Sequence, residues 1–113
     1  MYTYRAEITK VYDGDTITCD IDLGFGIVMR NQKIRLYGIN TPEIRGSQRP
    51  EGLRSKEALE SLLLAAERPY EVTLQTKRDK KGKFGRWLAV VIVDGVNINQ
   101  ALVESGHAEI YMA

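Results

Sequence analysis

Residues 16–23 read Thr-Ile-Thr-Cys-Asp-Ile-Asp-Leu. Ile17, Cys19, Ile21 and Leu23 alternate with Thr16, Thr18, Asp20 and Asp22, the period-two signature of a strand with one buried face. The flanking sequence extends this pattern. Residues 4–12 form a preceding strand, and Asp13-Gly14-Asp15 is the turn that joins the two. Gly24 and Gly26 mark a turn or bulge before a third strand over residues 27–38.

The periodicity then changes. Pro50-Glu51-Gly52 opens a helix whose apolar stripe is Leu59, Leu62, Leu63 and Ala66, and Pro69 ends it. Residues 70–76 alternate again, with Tyr70, Val72 and Leu74 on one face. Trp87–Val93 is a continuous apolar run of strand length, suited to burial on both faces. Asp94-Gly95 turns the chain. Asn97 caps a short helix, with Gln100 at the reciprocal capping position, Ile98, Ala101 and Leu102 as its stripe and Gly106 as its terminator. The order is three strands, a helix, two strands and a helix. That order predicts a mainly β (α+β) fold: a five-stranded OB-type Greek-key barrel with a helix between strands 3 and 4 and a short helix after strand 5. A length of 113 residues suits one domain over residues 1–113. Fold alone does not assign function.

Apolar residues make up 43% of the chain and charged residues 27%, a globular rather than disordered balance. No apolar run approaches the roughly 20 residues that span a bilayer. The N-terminal residues carry no apolar signal core, so a cytoplasmic location with no membrane partner is expected. The single cysteine, Cys19, has no internal disulfide partner and is expected to pack as a small apolar side chain.

Net charge is only +1, but it is unevenly spread. Residues 77–86 hold Lys77, Arg78, Lys80, Lys81, Lys83 and Arg86 against Asp79, which leaves ten cations and fourteen anions elsewhere. A basic segment on a mildly acidic body suits a polyanion such as nucleic acid, although a solvated lysine-rich loop has the same composition.

Four short stretches can carry chemistry. Asp13 and Asp15 flank a turn glycine; the turn alone explains them, and so does a hard cation held by carboxylate. Arg35 lies between Ile34 and Leu36 and, by strand alternation, faces away from them with Lys33 and Tyr37. It is either a surface charge or a clamp for an anion. Asn40-Thr41-Pro42-Glu43 ends that strand. It reads as a plain turn, or as a loop aiming the Asn40 amide oxygen, the Thr41 carbonyl and the Glu43 carboxylate at one point. Arg86 closes the basic segment, as a second clamp or a strand-edge charge. The lone histidine, His107, has no evident serine or cysteine partner. The metal candidates all offer oxygen, which argues against zinc chemistry and a histidine base. A carboxylate base, one hard cation and two arginines form a set suited to phosphodiester hydrolysis.

Val11-Tyr-Asp-Gly-Asp-Thr16, the run 34–43 (IRLYGINTPE), the run 83–91 (KFGRWLAVV) and the run 94–108 (DGVNINQALVESGHA) together resemble the staphylococcal nuclease-like, or thermonuclease, family, here in a short form. The resemblance runs in order through nearly the whole chain. It implies an OB barrel and calcium-dependent cleavage of DNA and RNA to 3′-phosphate ends, with one Ca2+ ion. In that register Asp15 matches a carboxylate metal ligand, and Thr41 matches a ligand through its backbone carbonyl. Glu43 matches the proposed general base, Arg35 and Arg86 the phosphate-binding arginines, and Asp13 a supporting acid. Lys81, Lys83 and Phe84 fall where substrate contacts are expected. Asn40 stands where well-studied members carry a metal-ligating aspartate, and Phe84 where a tyrosine often touches the nucleotide. The sequence ends at Ala113, short of the long C-terminal helix of better-known members, which leaves part of the barrel surface uncovered, with a dimer or a reduced stability as the expected consequence; the expected state is a monomer or weak dimer. The expected function is a calcium-dependent nuclease. An OB module of the same family that binds nucleic acid without cutting it is the alternative, and a protein-interaction domain comes third.

Overall fold

In the long strands every second residue faces inward, and these inward faces meet around a common core. The computed structural model describes residues 2–81 and 86–111, with the backbone alone at 78–81. In chain order the elements are β1 (Tyr2–Asp13), β2 (Thr16–Gly24), β3 (Ile27–Leu36), β4 (Ile39–Asn40), α1 (Arg49–Leu64), β5 (Glu71–Lys81), β6 (Trp87–Val93), β7 (Val96–Asn97), α2 (Ile98–Glu104) and β8 (Glu109–Ile110). A 3₁₀ turn over Gly46–Gln48 leads into α1.

β1 pairs antiparallel with β2, with Ile8 opposite Cys19, and β2 with β3, with Ile17 opposite Ile34. β1 also pairs with β5, which pairs antiparallel with β6. β6 then runs parallel to β3, with Ile34 beside Trp87 and Leu36 beside Ala89. That last pairing closes the five long strands into a barrel, the OB-type architecture expected from the order of elements. Closure removes the open sheet edge that a five-stranded sheet would otherwise expose.

The barrel is filled by Ile17, Ile34, Leu36, Leu74 and Val91, and the helices add Leu59, Leu63, Ile98 and Leu102. Cys19 packs among them as expected. Burial, helped by the neighbouring Asp20 charge, pushes its thiol up to about 12, so the thiolate does not form near neutral pH.

Several local expectations are corrected. Leu23 is exposed rather than inward, because β2 runs out into a hairpin tip where Phe25, Ile27 and Val28 are exposed as well. The third strand stops at Leu36. Gly38, at φ 79, then turns the chain into β4, which pairs with β8. α1 ends at Leu64, well before Pro69, and Ala66 packs on the core from beyond the helix. Tyr70 sits at φ 65, just ahead of β5, and so is not part of the strand. In β6 only Ala89, Val91 and Val93 are buried, so its outer face is half-covered rather than sealed.

Asn97 caps α2 as expected, its side chain accepting from the Gln100 N–H. The next polar residue, Asn99, holds the fold together more widely. It is buried, its Oδ1 accepts from the Val91 N–H at 3.1 Å, and its Nδ2 donates to the Tyr37 and Ala89 carbonyls at 2.9 and 3.3 Å. One amide thus ties α2 to β6 and to the exit of β3. Asn99→Leu removes these partners and leaves the Val91 N–H and Tyr37 carbonyl without them. The expected loss of stability is on the order of 3 kcal/mol, since each buried orphan costs about 1–3 kcal/mol. Urea denaturation checks this, and a loss well under 1 kcal/mol would show that the amide is dispensable.

Candidate active site

The candidate residues come from the β1–β2 turn, the end of β3, β4 with the segment after it, and the start of β6. β-Pairing brings these together at one end of the barrel. Thr16 lies opposite Arg35 in the β2–β3 ladder, and Arg35 lies beside Leu88 in the parallel pair that closes the barrel.

The β1–β2 turn is built locally and then pinned from outside. The Asp15 N–H donates to Asp13 Oδ1 at 3.1 Å, the short-range bond that makes aspartate a turn residue. The Asp15 carbonyl accepts from the Leu36 N–H at 2.8 Å, which fastens the turn to the end of β3. Gly14 is required for closeness: a Cβ there would come within 2.8 Å of Ser55 Cβ on α1 and 2.9 Å of Thr41 Cγ2. The turn is therefore pressed between the first helix and the segment after β4.

Asp15 is buried, and both of its carboxylate oxygens have partners. Its Oδ1 accepts from Thr16 Oγ1 at 3.1 Å, and its Oδ2 accepts from the Thr41 N–H at 3.1 Å. Arg35 Nη1 stands 3.3 Å from Oδ2, in an ion pair that is mostly hidden from solvent. The same guanidinium donates from Nη1 to the Leu36 carbonyl at 3.0 Å and from Nη2 to Asn40 Oδ1 at 3.2 Å. On the other side, Arg86 Nη1 donates to Thr16 Oγ1 at 3.3 Å. A continuous polar chain thus runs from Arg86 through Thr16, Asp15 and Arg35 to Asn40. Thr16 was not among the residues singled out from sequence; it reads there as an ordinary polar strand position.

Asp13 is buried beside this chain. Burial, then the hydrogen bond and charge of Asp15, with a smaller push from Glu43, raises its carboxyl from 3.8 to about 7. Glu43 itself is exposed, and among the described residues its carboxylate makes no hydrogen bond or ion pair. Its charge nevertheless reaches Asp13. Lys83 and Phe84 lie outside the described residues, as does the side chain of Lys81.

Among the described residues no three His, Cys, Asp or Glu side chains cluster for metal binding. A cation here would need amide, hydroxyl or carbonyl oxygens beside one carboxylate. Those oxygens are present. The Asp15 and Asn40 side-chain oxygens already converge on one positive group, and Thr41 Oγ1 is buried with no hydrogen-bond partner among the described residues. An all-oxygen set with an unsatisfied hydroxyl fits a hard cation such as calcium. The larger surface groove, lined by Arg5, Asp20, Asp22, Arg30, Arg68 and Glu71 among others, contains none of these residues. A smaller cavity is lined by Asn40 and Thr41 together with Glu51, Arg54 and Ser55 of α1 and His107.

Residues 33–113, well over half the chain, match the family model described as staphylococcal nuclease homologue. The chain belongs to that family. The matched span includes Arg35, Asn40, Thr41, Glu43 and Arg86. Asp13 and Asp15 precede it and join the family segment through the contacts just described. The chain is similar to an uncharacterised endonuclease of Haemophilus influenzae, 34% identical over 92% of the chain and 51% of the relative. It is also similar to uncharacterised proteins of Methanocaldococcus jannaschii, 26% identical over 97% of the chain and 60% of the relative, and of Bacillus anthracis, 28% identical over 93% and 46%. The chain spans about half the length of the curated relatives it matches.

The Asp13 environment has a measurable consequence. Its folded carboxyl titrates near 7 against an ordinary 3.8, so it contributes fully to stability only below about pH 4. That contribution falls as pH rises to 7. In metal-free buffer Asp13→Asn, which keeps an acceptor for the Asp15 N–H, is expected to be more stable than the parent at pH 8 and to lose less stability between pH 4 and 8. Parallel urea melts at the two pH values test it. Equal pH dependence in both proteins would place the Asp13 titration elsewhere.

Proposed function

We propose that this chain is a metal-dependent nuclease that hydrolyses phosphodiester bonds of DNA or RNA, using Glu43 as general base and Arg35 and Arg86 as phosphate clamps. The supporting observation is the polar chain Arg86–Thr16–Asp15–Arg35–Asn40, which sets two guanidinium groups on either side of one buried carboxylate. Family membership and the endonuclease name of the Haemophilus relative point the same way.

Asp15, Asn40 and Thr41 would hold one calcium ion, which when bound supplies positive charge beside the phosphoryl oxygens. Arg35 has five N–H donors, and its contacts with Leu36, Asp15 and Asn40 leave some for a phosphate. Arg86 approaches from the β6 side, so a phosphate between the two is gripped from both flanks. The fixed positive groups stabilise charge as it builds on the phosphoryl oxygens. Glu43, exposed and free of hydrogen bonds among the described residues, can take a proton from water. That water's oxygen attacks phosphorus, the bond to the 5′ oxygen breaks, that oxygen takes a proton from solvent to become a hydroxyl, and a 3′-phosphate end remains. The basic 77–86 segment, with Lys81, Lys83 and Phe84 as further substrate contacts, draws the polyanion in.

Incubation with single-stranded DNA in calcium or in chelator, followed by gel analysis, tests the reading. Fragments are expected in calcium alone. Glu43→Gln should slow turnover by about 10²–10⁴-fold, the usual contribution of a general base, while oligonucleotide binding is largely kept. Salt-sensitive binding without fragments would instead identify a binding module. Asn40→Asp adds a negative charge to the cation ligands and should tighten calcium binding in titration calorimetry; unchanged affinity would remove Asn40 from the ligand set.

A further inference from the structure

Among the described residues the Glu43 carboxylate makes no hydrogen bond or ion pair, but the Glu43–Ile44 backbone is held at three points by the entry to α1. The Glu43 N–H donates to Gln48 Oε1 at 3.1 Å. Arg49 Nη1 donates to the Ile44 carbonyl at 2.8 Å. Gly52, on the buried face of α1, lies so close that a Cβ there would collide with the Glu43 carbonyl oxygen and carbon and would stand 2.9 Å from the Ile44 nitrogen. A fourth contact steadies the following residue, where Arg45 Nη2 donates to the Tyr12 hydroxyl at 3.1 Å.

The first three contacts share one feature. Each holds main chain at Glu43 or Ile44, and among the described residues Gln48, Arg49 and Gly52 make no hydrogen bond or ion pair with the Glu43 side chain. They fix where the carboxylate starts from without neutralising it or occupying its lone pairs. A base needs both properties, a fixed origin and free oxygens. Gly52 serves by lacking a side chain, since any Cβ would push the Glu43 carbonyl away from the helix.

We propose that Gln48, Arg49 and Gly52 are positioning residues that clamp the Glu43–Ile44 backbone and so aim the carboxylate at the attacked phosphate. The proposal rests on the reading of Glu43 as general base. Gln48 supplies an acceptor, Arg49 a donor and Gly52 space, so their substitutions are separable. Gln48→Ala removes only the acceptor. Gln48→Glu restores an acceptor oxygen at the same reach.

The test is steady-state cleavage of a single-stranded oligonucleotide in calcium by the parent, Gln48→Ala, Gln48→Glu, Arg49→Ala and Glu43→Gln, with amide hydrogen exchange at Glu43 as the structural readout. Gln48→Ala and Arg49→Ala are expected to lower kcat about tenfold with KM little changed, since small misplacements of catalytic groups are costly. Glu43 amide exchange should speed up in Gln48→Ala and return towards the parent rate in Gln48→Glu, with partial recovery of kcat. A Gln48→Ala protein with parental kcat, where Glu43→Gln is slow, would overturn the clamp while leaving Glu43 as base. A Glu43→Gln protein with parental kcat would overturn the base assignment and the clamp's purpose with it. A rise in KM with kcat unchanged would also count against the clamp, because it would mark a substrate contact.

Discussion

The ion pair between Arg35 and Asp15 organises this end of the barrel. A carboxylate taken out of water must be met by hydrogen bonds and opposite charge, or it will protonate. Asp15 is met by a hydroxyl, a backbone N–H and a guanidinium, each from a different segment. The guanidinium reaches on to Asn40, and the hydroxyl of Thr16 links back to Arg86. The adjacent Asp13 accepts the Asp15 N–H but among the described residues meets no guanidinium, and burial beside the Asp15 charge raises its carboxyl to about 7. The site then presents one buried anion between two arginines, a polarity suited to gripping a phosphate.

The barrel supports this arrangement by where it closes. The parallel contact of β3 with β6 sets Arg35 beside Leu88, and the same β6 begins directly after Arg86. Without that pairing the two arginines would lie at opposite edges of an open sheet. Asn99 backs the same junction from α2, bonding both the Tyr37 and Ala89 carbonyls. The far end of the barrel, with its exposed β2–β3 tip, takes no part.

Much of this was legible in the sequence. Alternation in β2, the turn residues at Asp13-Gly14-Asp15 and the run Trp87–Val93 are local signals, and they placed the barrel strands in order. The motif register brought out Asp15, Arg35, Asn40, Thr41 and Arg86, which the structure joins through hydrogen bonds. Other features depend on partners that no local pattern names. The buried face of α1 begins with Gly52 and Ser55 rather than with apolar residues, because it packs on main chain at Glu43 and on the Gly14 turn. Gln48 and Arg49 read as ordinary polar residues at a helix start. Asn99 is indistinguishable in sequence from a solvent-facing helical residue. The pairing of β4 with β8 involves two residues on each side, too few to leave a period.

Asn40 is the position where charge and geometry separate. An aspartate there would place a second formal anion against Arg35, close to Asp15. Asparagine keeps the acceptor oxygen, and Arg35 still bonds it at 3.2 Å, but adds no charge. The guanidinium is therefore attracted mainly to Asp15, and the clamp is held less tightly than two anions would hold it. Attraction between opposite charges in a partly buried site is worth far more than in water. One anion fewer weakens the pull on any positive group here, Arg35 included. Asparagine at this position thus keeps the oxygen that Arg35 bonds and leaves Asp15 as its one charged partner among the described residues.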